Sequence, residues 1–513
     1  MAETKREVER KYEATGETRL PDLTRVPGVS AVVDRGVMEL DAVYYDTPDL
    51  RLAADALTLR RRTGGEDEGW HLKFPVASGI RDEIRAPLAD TLPGELAGLL
   101  RSRIRGAEVV PVVRLRSARD VRHLVDAKGR LLAELSVDTV RAERLPGGAE
   151  ATWTEIEVEL ADDAGDADAA LLDAIEKRLG KAGIHASASA SKLARALADT
   201  APRPDRDDTA PAPGPETAPG TAGDAVLAYV REQVDAIVEL DPAVRRDLPD
   251  AVHQLRVACR RLRSAFRSYR KVLDRDVTEP AGTELKWLAG ELGAARDQEV
   301  LTERLRGRID ALPRALRLGP VRGRLRSWAA VRARGGRRRT LAALDSARYL
   351  ALLDTLDELL ADPPLRKAAA RDARAVLSRA VLKDHARLAA RVDRALALDP
   401  GQDRDLALHA ARKAAKRTRY AAEAAAPALG KPARRVAKRV KSVQSLLGEH
   451  QDGVVAREAL RELATQAHAA GESAFTWGLL HGREEAEAAA GERDLPAAWA
   501  RAAAPEIRAA LTR

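Results

Sequence analysis

Thr154-Glu155-Ile156-Glu157-Val158-Glu159-Leu160 alternates carboxylate and aliphatic side chains without a break. In an extended strand successive side chains point to opposite faces, so Glu155, Glu157 and Glu159 share one face and Ile156, Val158 and Leu160 the other. Further segments repeat the alternation with other charges. Glu7, Glu9 and Lys11 share a face at 7–11, and Arg60 and Arg62 oppose Leu57 and Leu59. His71 and Lys73 oppose Leu72 and Phe74, Arg114 and Arg116 oppose Val113 and Leu115, and Glu134 and Asp138 oppose Leu135 and Val137. A merely solvated sheet face would mix Thr, Ser, Gln and Lys, whereas these faces sort by sign, with acids on the outer strands and bases on those between. The sorting predicts a closed antiparallel barrel with carboxylates on one wall and Arg and Lys on the other. Acids crowded this closely repel unless a cation sits among them, and the bases suit a phosphate chain. Hard oxygen donors without a Cys or His cluster favour Mg²⁺ or Mn²⁺ over Zn²⁺.

Around this segment the chain divides by composition. Its 513 residues exceed one ordinary core, and 45% hydrophobic with 32% charged residues excludes wholesale disorder. The net charge of +8 favours polyanionic partners. Cys259, the single cysteine, permits no intrachain disulfide or thiolate cluster and reads as a small buried thiol. MAETKREVERK is charged where a signal peptide is apolar, and no run approaches the ~20 apolar residues of a membrane span, so a cytoplasmic protein is expected. Residues 201–223, APRPDRDDTAPAPGPETAPGTAG, form a Pro/Ala-rich linker between units at 1–200 and 224–510. Beyond it strand signals stop, and Ala, Leu, Arg and Glu recur at helical spacing. The expected architecture is α+β and multidomain: a β barrel with flanking helices, then an all-α region.

Glu7-Val8-Glu9-Arg10-Lys11 is an ExExK pattern, and an ordered set of segments follows it. These are YYDTPDLRL at 44–52, LRRR at 59–62, LKFP at 72–75, the Arg114 and Arg116 strand, Val137-Asp138, EIEVE at 155–159 and Ser191-Lys192. Across residues 1–200 this resembles the CYTH, or triphosphate tunnel metalloenzyme, family. The resemblance implies an eight-stranded antiparallel tunnel that hydrolyses or cyclises a triphosphate with divalent metal. Carried over by position, Glu7, Glu9, Asp138, Glu155 and Glu157 are implied metal ligands, with Glu159 on the same face. Lys11, Arg60, Arg62, Lys73, Arg114, Arg116 and Lys192 are implied triphosphate ligands, and Glu7, Glu9, Lys11 and Lys73 the catalytic set. His71 points with Lys73 but has no evident carboxylate partner.

The helical half contains a repeat. HQLRVACRRLR at 253–263 aligns without gaps to HAARKAAKRTR at 409–419, 156 residues apart (409 − 253), and LGAARD at 292–297 aligns to LGEHQD at 447–452, 155 apart (447 − 292). Two motifs at one offset predict a duplicated helical bundle, each copy contributing one basic helix. On a helix, His253, Arg256, Arg260 and Arg263 form one stripe, and His409, Arg412, Lys416 and Arg419 its copy. Stacked like charges destabilise a helix unless an anion relieves them. These motifs resemble the CHAD domain, which implies binding of inorganic polyphosphate by those eight residues; a protein that binds polyphosphate in this way is expected in the cytoplasm, where it could associate with polyphosphate granules. Arg434, Arg435, Lys438, Arg439 and Lys441 extend the basic surface, and His450 has no assigned role. The basic run at 331–339 reads as a solvated loop. Aromatics are only 3% of residues, too few for base-stacking platforms, so nucleic acid is disfavoured as a partner.

The function these features predict is hydrolysis of inorganic tripolyphosphate to pyrophosphate and phosphate, with the helical domain binding polyphosphate. The alternatives are a non-catalytic polyphosphate-binding protein, a thiamine triphosphatase and an adenylate cyclase. Trp70 and Trp153 could stack on an organic substrate but are read more simply as packing residues.

Overall fold

The computed structural model describes residues 3–65, 67–145, 147–161, 169–201 and 219–512. The chain forms two compact units, 1–210 and 211–513, and most of the sequence-predicted linker, 202–218, lies outside the described residues.

The first unit is a closed barrel of eight antiparallel strands, β1 Glu3–Ala14, β2 Ala31–Asp46, β3 Thr58–Thr63, β4 Gly69–Ala77, β5 Ile80–Ala86, β6 Val110–Val125, β7 Leu131–Arg144 and β8 Glu150–Leu160. Around the barrel they follow the order β1-β5-β4-β3-β2-β6-β7-β8. Among the described residues they are accompanied by the α-helices α1 Arg51–Ala54, α2 Gly94–Ile104, α3 Ala169–Gly180 and α4 Lys192–Asp199. The pleat explains the inside-out polarity. Outward Leu57, Leu59, Leu72, Phe74 and Ile84 pack with Leu96, Leu99 and Leu100 of α2. Outward Leu135, Ile156, Val158 and Leu160 pack with Leu171, Leu172, Ile175 and Leu179 of α3. With the aliphatic sides covered by helices, the charged sides face the interior.

Toward one end the interior becomes apolar. Val113, Leu115, Val140, Ala142 and Trp153 have the inward parity of Arg119, Asp138 and Glu155, and they pack with Leu193 and Ala196 of α4. Arg114 and Arg116 therefore point outward, where Arg114 Nε donates to Asp41 Oδ1 at 2.9 Å and Arg116 is half exposed. This corrects the expectation that these two arginines line the tunnel. Apolar neighbours at 113 and 115 suggested an outer face, but they line the closed end.

The second unit is helical, as expected: α5 Ala222–Arg245, α6 Ala251–Ser268, α7 Arg275–Glu291, α8 Gly293–Asp310, α9 Val321–Ala333, α10 Gly336–Leu344, α11 Ala347–Ala361, α12 Ala373–Leu396, α13 Gln402–Leu429, α14 Lys431–Ala469, α15 Phe475–Ala503 and α16 Pro505–Ala509. Helix α5 opens at Ala222, two residues inside the expected linker, with the Thr221 hydroxyl accepting from the Asp224 amide. The copies do not form two separate bundles: one apolar core joins Leu255 and Leu262 of α6, Leu285 and Leu288 of α7, Leu377 and Val381 of α12, Leu408 and Ala415 of α13, and Val436 and Val443 of α14. Cys259 is fully buried in that core, and burial pushes its thiol up to about 12. The run 331–339 is not a loop. Arg332 ends α9, 4.5 Å over the Trp328 ring and paired with Glu462 at 2.6 Å, while Arg337 starts α10 and pairs with Asp247 at 2.8 Å. Among the described residues no helix is long and apolar enough to cross a membrane.

Candidate functional site

Register brings the acids together. Lys11 of β1 lies opposite Glu157 of β8, and Asp138 of β7 opposite Glu155. All four project inward, where Lys192, at the first turn of α4, reaches them. Its ammonium lies 2.8 Å from Asp138 Oδ2, 2.7 Å from Glu155 Oε1 and 2.6 Å from Glu157 Oε1. The Lys11 ammonium contacts Glu157 and stands 3.3 Å from Glu9, and Arg119 lies 2.7 Å from both Asp138 and Glu157. Burial alone would raise the Glu157 carboxyl, but the charges of Lys11, Lys192 and Arg119 outweigh it and hold Glu157 well below 4.5. The same contest, won by Lys192 and Arg119, lowers Asp138, and Lys11 lowers Glu9.

The donor set fits a cation. Oxygens of Asp138, Glu155 and Glu157 lie within 4.8 Å of one another, and an ammonium already rests among them. Hard carboxylate oxygens without sulfur or imidazole suit Mg²⁺ or Mn²⁺. Glu7 and Glu159 sit apart from this group, Glu7 at 2.6 Å from Lys73 and Glu159 at 2.8 Å from Lys5. Burial lifts Glu7 to about 7, with Glu83 and Glu159 adding to the rise and Lys73 opposing it.

Across the barrel stands the basic wall. Arg60, Arg62, Lys73, Arg81 and Arg85 line the same cavity of about 310 Å³ as Glu7, Glu9, Lys11, Glu157, Glu159 and Lys192. Burial and the neighbouring Arg60 pull Arg62 down to about 10 despite its contact with Asp67. At its centre is fully buried Glu83, 3.5 Å from Lys73 and 3.6 Å from Arg60. His71 Nδ1 lies 2.8 Å from Glu83, so the histidine has the carboxylate partner that was not evident, and its ring is fixed within the wall. Trp70 and Trp153 are packing residues: their indole N–H groups donate to the Ala89 carbonyl and to Glu155.

Sequence reasoning missed Lys5, Asp67, Arg81, Glu83, Arg85 and Arg119 as lining or wall residues, whereas Glu134, placed on the charged face of its strand, lines the cavity. Alternation in Ile80–Ala86 put Arg81, Glu83 and Arg85 on one face, a signal that could have found them. Arg119 shares the parity of Leu115, and only closure of the barrel makes that parity inward.

In the helical unit α6 and α13 carry the stripes and α8 and α14 the LG-x-x-x-D motifs. Arg256 Nη1 and Nη2 donate to Asp297 at 2.8 and 3.1 Å, and Arg412 stands 3.7 Å from Asp452 in the copy. In the first copy the motif glycine makes room for the arginine, since a Cβ on Gly293 would lie 2.8 Å from Arg256 Nη2, whereas one on Gly448 would meet Arg412 Nε at an ordinary 3.8 Å. Each motif pair thus assembles as one Arg–Asp clasp. Burial, then Arg412 and Arg260, bring the Lys416 ammonium down to about 7, which places residues of both stripes in one field. Among the described residues the buried Nε atoms of Arg256, Arg412 and Arg419 have no hydrogen-bond partner. Arg263 lies elsewhere on α6, lining a separate cavity with Arg267, Arg270, Arg387 and Arg417. His253 is exposed and His409 half-buried, and Arg434, Arg435, Lys438, Arg439 and Lys441 are exposed along α14.

A closed antiparallel barrel with acids facing bases, followed by a helical unit with two basic clasps, defines a two-domain protein built around phosphate chemistry. The sequence profile of the CYTH domain matches residues 5–197 and that of the CHAD domain residues 228–461. An uncharacterized protein of Mycobacterium tuberculosis (strain CDC 1551 / Oshkosh) is 39% identical over 492 residues, 93% of this chain and 92% of its own length. The counterpart in strain H37Rv matches equally. The chain therefore belongs to the family that joins a CYTH domain to a CHAD domain, and its barrel is of the triphosphate-tunnel type. Among solved structures, PptA from Streptomyces chartreusis is 25% identical, with 54% of this chain and 99% of that one covered and a TM-score of 0.47. The CHAD domain from the plant Ricinus communis is 29% identical, with 57% and 92% covered and a TM-score of 0.42.

Proposed function

We propose that the barrel hydrolyses inorganic tripolyphosphate to pyrophosphate and phosphate with Mg²⁺ or Mn²⁺, and that the helical unit binds longer polyphosphate. The observation that carries the reading is the Lys192 ammonium held by three buried carboxylates in a barrel whose opposite wall is cationic. Asp138, Glu155 and Glu157 would hold the metal, with Glu7, Glu9 and Glu159 along the same side. A divalent ion there supplies charge neutralisation and a more acidic bound water. Arg60, Arg62, Lys73 and Arg81 grip the phosphate oxygens and hold the chain in line, since phosphoryl transfer rests on positioning and charge more than on covalent help. Lys11 and Lys192, which neutralise the carboxylates here, would be available to neutralise phosphate where those carboxylates hold a metal. Tyr44 is the single aromatic among the described cavity-lining residues, which favours an inorganic chain over a thiamine or adenine ester.

The decisive assay is phosphate release from tripolyphosphate, thiamine triphosphate and ATP, each with Mg²⁺, Mn²⁺ or EDTA. Tripolyphosphate is expected to turn over fastest and EDTA to stop it; no release from any of the three makes the protein a binder rather than an enzyme. Orientation of the arginines gives a sharper test. Arg119→Met is expected to lower turnover by at least about 10-fold, because it removes charge-assisted hydrogen bonds inside the barrel, while Arg114→Met and Arg116→Met stay within about 2-fold. The reverse ranking would place the phosphate on the outer face of β6.

Lys416 gives the helical site a pH dependence. Burial and the neighbouring Arg412 and Arg260 bring this lysine down to about 7, so it gives up its charge as pH rises through that region. Polyphosphate affinity is therefore expected to fall as pH rises through about 7, and Lys416→Met to flatten that component in a titration at fixed salt. The stability sign is opposite. Between about 7 and 10.5 the unfolded chain holds a proton that the folded one lacks, so this group makes the protein more stable as pH rises.

A further inference from the structure

Outside both basic surfaces, three helices of the second unit converge on one imidazole. His450, on α14, is 5% exposed, and its Nε2 lies 3.2 Å from Asp405 Oδ1 of α13 and 3.0 Å from Glu492 Oε1 of α15. These three donor atoms lie within 4.8 Å of one another. The second oxygen of each carboxylate is held from outside: Arg457 Nη2 lies 3.4 Å from Asp405 Oδ2, and Arg404 Nε lies 2.8 Å from Glu492 Oε2. The arginines thus orient the carboxylates and leave Oδ1 and Oε1 aimed at Nε2, the outer-sphere arrangement that fixes ligands around a metal.

We propose that Asp405, His450 and Glu492 form a divalent-metal site in the helical unit, distinct from the acids of the barrel. One imidazole and two carboxylates make a borderline donor set that suits Zn²⁺ or Co²⁺, in contrast to the all-oxygen set of the barrel. Ligand atoms about 3.3–3.5 Å apart surround a tetrahedral ion with bonds near 2.0–2.1 Å, so the observed separations need only a slight expansion. An open cavity of about 690 Å³, lined in part by Arg404, Asp405, Arg457 and Glu492, gives solvent access for a fourth ligand. Duplication alone does not explain the set. By the repeat offset, Ala295 stands where His450 stands and Pro249 where Asp405 stands, so only one copy has these donors. Sequence spacing could not reveal them, because each comes from a different helix. Metal bound only in the folded state would tie α15 to α13 and α14.

Cobalt is the probe. The chelator-stripped full chain is titrated with Co²⁺ and its visible spectrum recorded. Wild type and Glu157→Gln, a change confined to the barrel, are expected to develop the intense bands of four-coordinate cobalt at one equivalent, and Zn²⁺ to bleach them. His450→Gln and Glu492→Gln, checked for folding by circular dichroism, are expected to lack the bands. Absence of the bands in wild type, or their persistence in both variants, would overturn the site and leave His450 as an ion-pair partner only. If neither variant folds, X-ray absorption of the wild-type cobalt form decides: an imidazole in the shell at one equivalent supports the proposal, and an all-oxygen shell removes it.

Discussion

Glu157→Gln is expected to abolish metal-dependent tripolyphosphate turnover, by at least about 10²-fold, because one side chain both belongs to the carboxylate cluster and neutralises the cations beside it. Glu157 touches Lys11, Lys192 and Arg119, and its oxygens belong to the three-carboxylate cluster with Asp138 and Glu155. Gln keeps the volume and removes the charge. The metal loses a ligand, and three buried cations lose a shared counter-charge, so raising Mg²⁺ is expected to restore only a small part of the rate. The barrel should survive, since the helices cover its outer face and the acid sits in the polar interior. Stability should still shift with pH. The folded Glu157 pKa is depressed, so its contribution is complete above the ordinary value of 4.5 and is lost as pH falls through the folded value. The wild type should therefore lose this contribution on acidification and Glu157→Gln should not, in thermal unfolding followed from pH 7 downward. Wild-type turnover by the variant would remove Glu157 from the metal site.

The second large effect is on polyphosphate binding. Arg256→Ala with Arg412→Ala is expected to weaken it by about 10²–10⁴-fold, taking about 1.5–3 kcal/mol for each charge-assisted hydrogen bond to phosphate that the variant can no longer make and tenfold per 1.4 kcal/mol. Both arginines are anchored by a motif aspartate, and both keep a buried Nε without a partner among the described residues. They are oriented in advance, so little ordering is required when an anion arrives. The salt dependence should become shallower in parallel, since fewer phosphate charges are neutralised. Tripolyphosphate hydrolysis by the same variant should be unchanged. As a comparison, Arg434→Ala with Arg435→Ala removes as much charge from exposed positions on α14, where screening makes each interaction weaker. Equal effects from the two pairs would reduce the clasps to general positive charge.

Strand polarity, helical content and the repeat were legible in the sequence because each is periodic along the chain. EIEVE and HLKF have one charged face wherever they are placed, and the Arg and LG-x-x-x-D motifs share an offset that no fold is needed to see. The inward parity of β6 was not periodic. Its register against β7 sets Arg119 opposite Asp138, so Arg119 faces the acids while Arg114 and Arg116, of the other parity, face out. Neighbours across a sheet or a helix packing are set by register and crossing, which bring together residues remote in sequence. His71 therefore had no partner until β5 supplied Glu83, and His450 none until α13 and α15 supplied Asp405 and Glu492. The sequence by itself determined which side chains are charged and on which face of their element they stand. Only the tertiary structure decided which opposite charges meet, because a Coulomb interaction depends on distance and burial that local order along the chain does not specify.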